Sequence, residues 1–262
     1  KSLIHLVQTA PKTTRIVYKL FRLIAICILG CLVRYAIRKL PLFTIHRGRN
    51  KKTMTLKILH INCNKEWRGG EYVVHEIFNG QFNQCEQYLF CPANSELANR
   101  NTPNTHLFTY KKRMGVDVAG ALQLKKIIHT KQIQLVHLHD AQAQNLFYLA
   151  CIFGVKVSAV IHRHVNYPIK SAWKYTNNRI LKIICVSKSV ENTVHKYTLH
   201  KQKTIVIYSG IDIKKYSANF ASIDLKKELG IPKKDYLIGI VSALEIEKNV
   251  EEFCKIAQLI NK

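Results

Sequence analysis

"LKILHINCNKEWRGGEYVVHEIF", residues 56–78, joins a short apolar run to a helical pattern through a glycine pair. Leu56 to Ile61 read as a buried strand, and Val73, Val74, Ile77 and Phe78 recur on one helical face. Gly69 and Gly70 therefore sit at a strand-to-helix turn. Unpaired N–H groups and the positive end of the helix dipole meet there, so glycine lets an anion such as a phosphate come close. The other reading is a tight turn needing positive φ, for the stretch is neither GxGxxG nor a GxxxxGK(S/T) loop.

The same alternation continues downstream. Apolar runs at 56–62, 87–91, 106–110, 134–139, 156–162, 182–187 and 204–208 predict strands. Helical patterns fall near 71–82, 117–131, 141–153, 171–180 and 188–198. Repeated strand–helix units of this kind predict an α/β fold, a Rossmann-like, doubly wound parallel sheet over 54–217. Residues 218–262 then read as a linker and one further unit, the strand "YLIGIVSALE" and the helix "VEEFCKIAQLINK", with Gly230 and Pro232 at the join. One such unit is too little for a domain, so the second domain is expected to be incomplete.

The formal charge of +25 is unevenly spread. Residues 1–53 hold twelve Lys/Arg and no Asp or Glu. Their apolar core runs only from Leu23 to Val33, short of the ~20 residues a bilayer span needs. A basic segment lying on an anionic membrane surface, on the cytoplasmic side, is the expectation. Met54, which opens "MTLKILHIN", also reads as a natural start, with 1–53 foreign to the fold as the lesser reading. The eight cysteines form no CxxC pair and have mostly apolar neighbours, which argues for reduced structural thiols in a cytoplasmic setting.

In doubly wound sheets ligands bind beyond the carboxyl ends of the strands. Two strands end "VHLHD" and "VIHRH", so His137 and His139 share one face, as do His162 and His164 if the second strand reaches that far. With Asp140 these could in principle hold a metal. No comparable ligand set appears at the other strand ends, so the expectation is no metal. His137 and His162 read as core histidines satisfied by hydrogen bonds. His139, last in its strand, is the functional candidate, able to bond a sugar hydroxyl or stabilise developing charge. Ser187 lacks the GxSxG elbow and reads as a helix N-cap.

These segments, "KILHINCNKEWRGGEYVV", "LVHLHDAQAQNLFYLA", "SAVIHRH", "RILKIICVSKSVENTV" and "TIVIYSGIDIKKY", resemble the family 4 glycosyltransferases in order and spacing, over about residues 56–262. Tyr208 and Ser209 replace the more usual Pro and Asn of the family's hinge. The resemblance implies a GT-B enzyme of two facing Rossmann-like domains, metal-independent and without a cofactor, that moves a sugar from a nucleotide-sugar to a glycan or lipid-linked acceptor, as in envelope biosynthesis. It implies that Gly69 and Gly70 approach donor phosphates or acceptor and that His139 contacts the transferred sugar. Asp140 and His162 are taken as further substrate contacts. Lys248 matches the lysine that binds the donor diphosphate, whereas the arginine expected five residues earlier is Ala243 and the glutamate pair falls beyond residue 262. A complementary C-terminal domain is therefore an expected partner. The alternatives are a non-catalytic basic module at a membrane surface or on RNA, and a metal hydrolase. Aromatic residues lie mostly on apolar helical faces and not among Lys/Arg, which argues against specific nucleic-acid binding.

Overall fold

The computed structural model describes residues from Thr55 onward, except 81–84, 101–105, 114, 199, 212, 214–223, 243, 245 and 261–262. The basic segment 1–53 and Ala243 thus lie outside the described residues. The chain divides into two compact units, one ending at Gly210 and one beginning at Ile211.

The first unit runs β1 Leu56–Ile61, α1 Gly69–Gly80, β2 Cys85–Pro92, α2 Glu96–Asn99, β3 His106–Tyr110, α3 Val118–Thr130, β4 Leu135–Leu138 and α4 Ala141–Ile152. It continues with β5 Ser158–Arg163, α5 Trp173–Thr176, β6 Ile180–Cys185, α6 Lys188–His195 and β7 Thr204–Val206. All strand pairs are parallel, in the order β3-β2-β1-β4-β5-β6-β7. The direction of winding reverses between β1 and β4, which makes their carboxyl ends the topological switch point.

Burial on both faces explains the near-continuous apolar strands. On one face Leu59, Ile61, Phe90, Val136, Leu138, Ile161 and Ile183 pack with residues of α3 and α4, including Leu124 and Phe147. On the other, Leu89 and Cys91 pack with Val74 and Phe78 of α1 and Leu97 of α2. Short polar side chains start the helices. Asp117 Oδ1 accepts from Gly120 N at 2.8 Å, Asp140 Oδ1 from Gln142 N and Ala143 N, and Ser187 Oγ from Val190 N. Gly154 ends α4 at φ +96°, with Val155 N bonded back to Ala150 O.

The seven strands expected between 56 and 208 all form, most with shifted ends. The helix expected over 171–180 shrinks to α5, because Ile180 is already drawn into β6 beside Ala159. The short α2, capped by Ser95, is a further element that the periodicity misses.

The second unit contains α7 Leu225–Glu228, a 3₁₀ turn Ile246–Lys248 and α8 Val250–Ile260. The strand expected over 236–245 does not form among the described residues. A lone strand has no ladder partner, and no other strand is described in this unit. Tyr236, Val241, Leu244 and Ile246 remain almost fully exposed.

Candidate functional site

The loop from β1 to α1 is organised by Glu71, buried in the first turn of the helix. Its Oε1 accepts from Asn62 Nδ2 (3.0 Å) and Asn64 Nδ2 (2.7 Å), and its Oε2 accepts from Arg68 N (3.2 Å). The last bond is half of a capping box, returning a carboxylate to the residue before the helix. Gly69 and Gly70 open α1, and neither has positive φ. Backbone conformation is therefore not the reason for the pair. A Cβ on Gly69 would meet nothing within 4 Å, and one on Gly70 would reach only the His164 ring at 3.8 Å.

Across the switch point, Asp140 ties the two central strands together. Its Oδ2 accepts from Cys63 N at 2.6 Å while its Oδ1 caps α4, so both oxygens are committed to backbone N–H groups. Burial raises its carboxyl pKa, and those three N–H groups oppose the rise. The neighbouring Cys63 thiol is pushed far up, by burial first and then by the charge of Asp140, which makes it inert.

Five imidazoles line one face at this edge. His60 pairs with His137 in register, and His139, His162 and His164 follow at the ends of β4 and β5. Ring centroids are 4.0 Å apart for His137–His139, 4.2 Å for His162–His164 and 5.3 Å for His60–His139. One chain of hydrogen bonds fixes the protons. Gln87 Nε2 donates to Phe78 O at 2.7 Å, which turns Gln87 Oε1 toward His60 Nε2 at 2.9 Å. His60 therefore carries its hydrogen on Nε2 and accepts at Nδ1 from His139 Nε2 at 3.0 Å. His139, only 3% exposed, is left with a bare Nδ1 lone pair.

The other rings differ from the satisfied core histidines expected at 137 and 162. His137 Nε2, both ring nitrogens of His162, and His164 Nε2 are buried without a hydrogen-bond partner. The rings meet largely by their faces, so their nitrogens do not reach one another. Burial holds all five neutral at physiological pH. His60 is lowered to about 4 by burial against its Gln87 bond, and His164 to about 4 by burial against the charge of Glu71. His137, His139 and His162 fall well below the usual range, through burial and then through their imidazole neighbours.

The structure thus brings Gly70, His139, Asp140 and His162 to one edge of the sheet, with Gly69 beside Gly70. Lys248 lies exposed in the second unit, in the 3₁₀ turn before α8. The residues missed by sequence reading are His60, Gln87 and Glu71. Only Glu71 left a local signal, its spacing of three from Arg68; the other two depend on register between strands. None of the described cysteines 63, 85, 91, 151, 185 and 254 forms a disulfide.

Residues 67–215 match the family described as Glycosyltransferase Family 4. No curated protein matches. Among solved structures, Alr3699/HepE of Anabaena with UDP and glucose is 18% identical with TM-score 0.52, covering 67% of this chain and 50% of its own. The same protein with UDP-glucose gives 16%, TM-score 0.54 and the same coverage. A glycosyltransferase of Rickettsia africae gives 17%, TM-score 0.56, and 69% and 51% coverage. The chain spans about half the length of these structures.

Proposed function

Because the chain belongs to glycosyltransferase family 4, we propose that its first unit is one half of a transferase that moves a sugar from a nucleotide-sugar to a glycan or lipid-linked acceptor. The observation that carries this reading is the assembly of the α1 N-terminus, His139 and Asp140 at the switch point of the sheet, where doubly wound folds take their ligands. UDP, glucose and UDP-glucose are the molecules held by the similar Anabaena structures, which makes a nucleotide-sugar the donor to test first.

In this reading the His139 Nδ1 lone pair accepts a hydrogen bond from a sugar hydroxyl, its ring held by the His60–Gln87 relay. The relay orients the acceptor in advance, and a sugar reaches the buried Nδ1 only once the edge around it is uncovered. Gly69 leaves open space at the start of α1 for a phosphate or acceptor, with Gly70 against the His164 ring. His162 lines the same layer, and Asp140 holds the two loops in register. Lys248, exposed in this chain's second unit, is offered to the donor diphosphate, and a complementary C-terminal domain supplies the remaining donor contacts. The chemistry needs no cofactor beyond the nucleotide-sugar.

Among the described residues no helix is long and apolar enough to cross a membrane. The basic run in 1–53 suits a peripheral position on the cytoplasmic face of an anionic membrane, next to lipid-linked envelope precursors. The test is transfer of labelled sugar from a panel of nucleotide-sugars to membrane lipid extract, using this chain together with a complementary C-terminal half. His139→Ala should lower turnover at least ~100-fold, far beyond what the stability lost with its buried ring and its bond to His60 accounts for. Equal turnover in the variant would remove His139 from the site.

A further inference from the structure

We propose that His139, His162 and His164 form a binding site for a borderline divalent cation of the Zn²⁺ class, at the carboxyl edge of β4 and β5. One ring nitrogen from each of the three lies within 4.8 Å of the other two. Each residue also carries a buried nitrogen with no hydrogen-bond partner, and a metal ion satisfies such nitrogens at once when the stacked rings turn toward it.

A second trio, His60, His137 and His139, is equally compact. It is the poorer site, because both nitrogens of His60 are already bonded, to Gln87 and to His139. That relay instead serves the first trio. A ligating histidine characteristically donates its second ring N–H to a fixed acceptor, which sets its tautomer and orientation. His139 does so through Nε2, leaving Nδ1 for the ion.

Charge and ligand chemistry agree. The carboxylate of Glu71, buried and held by three N–H donors, acts on His164 and offsets the charge of a bound cation. Three imidazoles select Zn²⁺, Cu²⁺ or Ni²⁺ and disfavour Mg²⁺ and Ca²⁺, which require oxygen. Tetrahedral coordination at the usual Zn–N length spaces the nitrogens about 3.4 Å apart. The three rings therefore close inward by under ~1 Å each and turn out of their stacked arrangement, with a fourth position left for water.

The ion is not a participant in transfer. It uses the same His139 Nδ1 that the transferase reading offers to a sugar, so ion and sugar exclude one another and the ion inhibits. Binding itself is independent of that reading, and its test involves no turnover.

The test is calorimetry of the metal-stripped 262-residue chain with Zn²⁺, accompanied by thermal unfolding and by the visible spectrum with Co²⁺. One Zn²⁺ per chain, a raised unfolding temperature, no response to Mg²⁺, and the intense bands of tetrahedral Co²⁺ are expected. His164→Gln should bind at least about tenfold more weakly and His162→Gln/His164→Gln not at all, while His129→Gln, exposed on α3, binds as before. Absence of Zn²⁺ binding, undiminished binding in the double variant, or an octahedral Co²⁺ spectrum overturns the proposal. If the double variant fails to fold by circular dichroism, His164→Gln and the Co²⁺ spectrum decide the matter. A chain that transfers sugar in EDTA but binds no Zn²⁺ overturns the metal proposal alone, and one that binds Zn²⁺ but does not transfer in EDTA overturns the transferase reading alone.

Discussion

Removing Asp140 separates a structural role from a substrate role. In Asp140→Ala, α4 loses its N-cap, a loss of about 1 kcal/mol. The Cys63 N–H, whose residue is 1% exposed, loses its 2.6 Å partner and is left buried and unpaired, a further ~1–3 kcal/mol. The sum, roughly 2–4 kcal/mol, is near the upper end for a single polar change. Asp140→Asn should behave quite differently. The amide oxygen keeps an acceptor for the cap or for Cys63, and because burial is the largest influence on Asp140, removing the charge relieves part of the desolvation cost. We expect a loss under about 1 kcal/mol for Asn. Urea unfolding of the 262-residue chain and both variants measures the difference. At a slope of about 2 kcal/mol per molar, Ala should shift the midpoint by 1 to 2 M and Asn by under about 0.5 M. An Ala variant as stable as the parent, or an Asn variant as damaged as Ala, would refute the bridging role assigned to Asp140.

Gly70→Ala should leave stability unchanged or raise it by up to ~1 kcal/mol, since the new Cβ meets only an ordinary contact and alanine favours helix. If the α1 N-terminus takes a ligand, transfer nevertheless falls; unfolding midpoints and turnover measured together decide. The metal-free chain should lose stability as pH drops from 6.5 toward 4. A histidine with a lowered folded pKa binds its proton first in the unfolded chain, so stability is full above 6.5 and is lost through that window. His60 alone, at about 4 when folded, accounts for about 3 kcal/mol; a flat urea midpoint between pH 7 and 4.5 would contradict it. In vesicle flotation, the full chain should bind anionic membranes and be released by salt, whereas residues 54–262 should not. Equal binding to neutral vesicles would remove the electrostatic part.

The sequence made the architecture readable because burial on both faces leaves unbroken apolar strands, and because Asp117, Asp140 and Ser187 mark helix starts in the local sequence. It did not reveal how α5 would give way to β6, since the competing claim on Ile180 comes from Ala159 across the sheet. The strand expected over 236–245 fails for the same kind of reason: an apolar, β-branched run forms a strand only where another strand supplies its hydrogen bonds. At the site, the face shared by His137 and His139 followed from strand alternation alone. His60 and Gln87 could not be joined to them, because that requires the β1–β4 and β1–β2 registers. Nor could the sequence indicate that stacked imidazoles would leave nitrogens of His137 and His162 without partners.

Whether the bare nitrogen of His139 receives the sugar is the most direct question for the proposed transferase site. Ring-nitrogen NMR of the histidine-labelled chain, in EDTA and at millimolar UDP-glucose, reads that atom even when affinity is low. The expected result is a saturable upfield movement of the unprotonated His139 Nδ1, assigned through His139→Gln, with the His60 signal following through their shared hydrogen bond. A saturable response confined to other residues, or no histidine response up to the solubility limit, would contradict it.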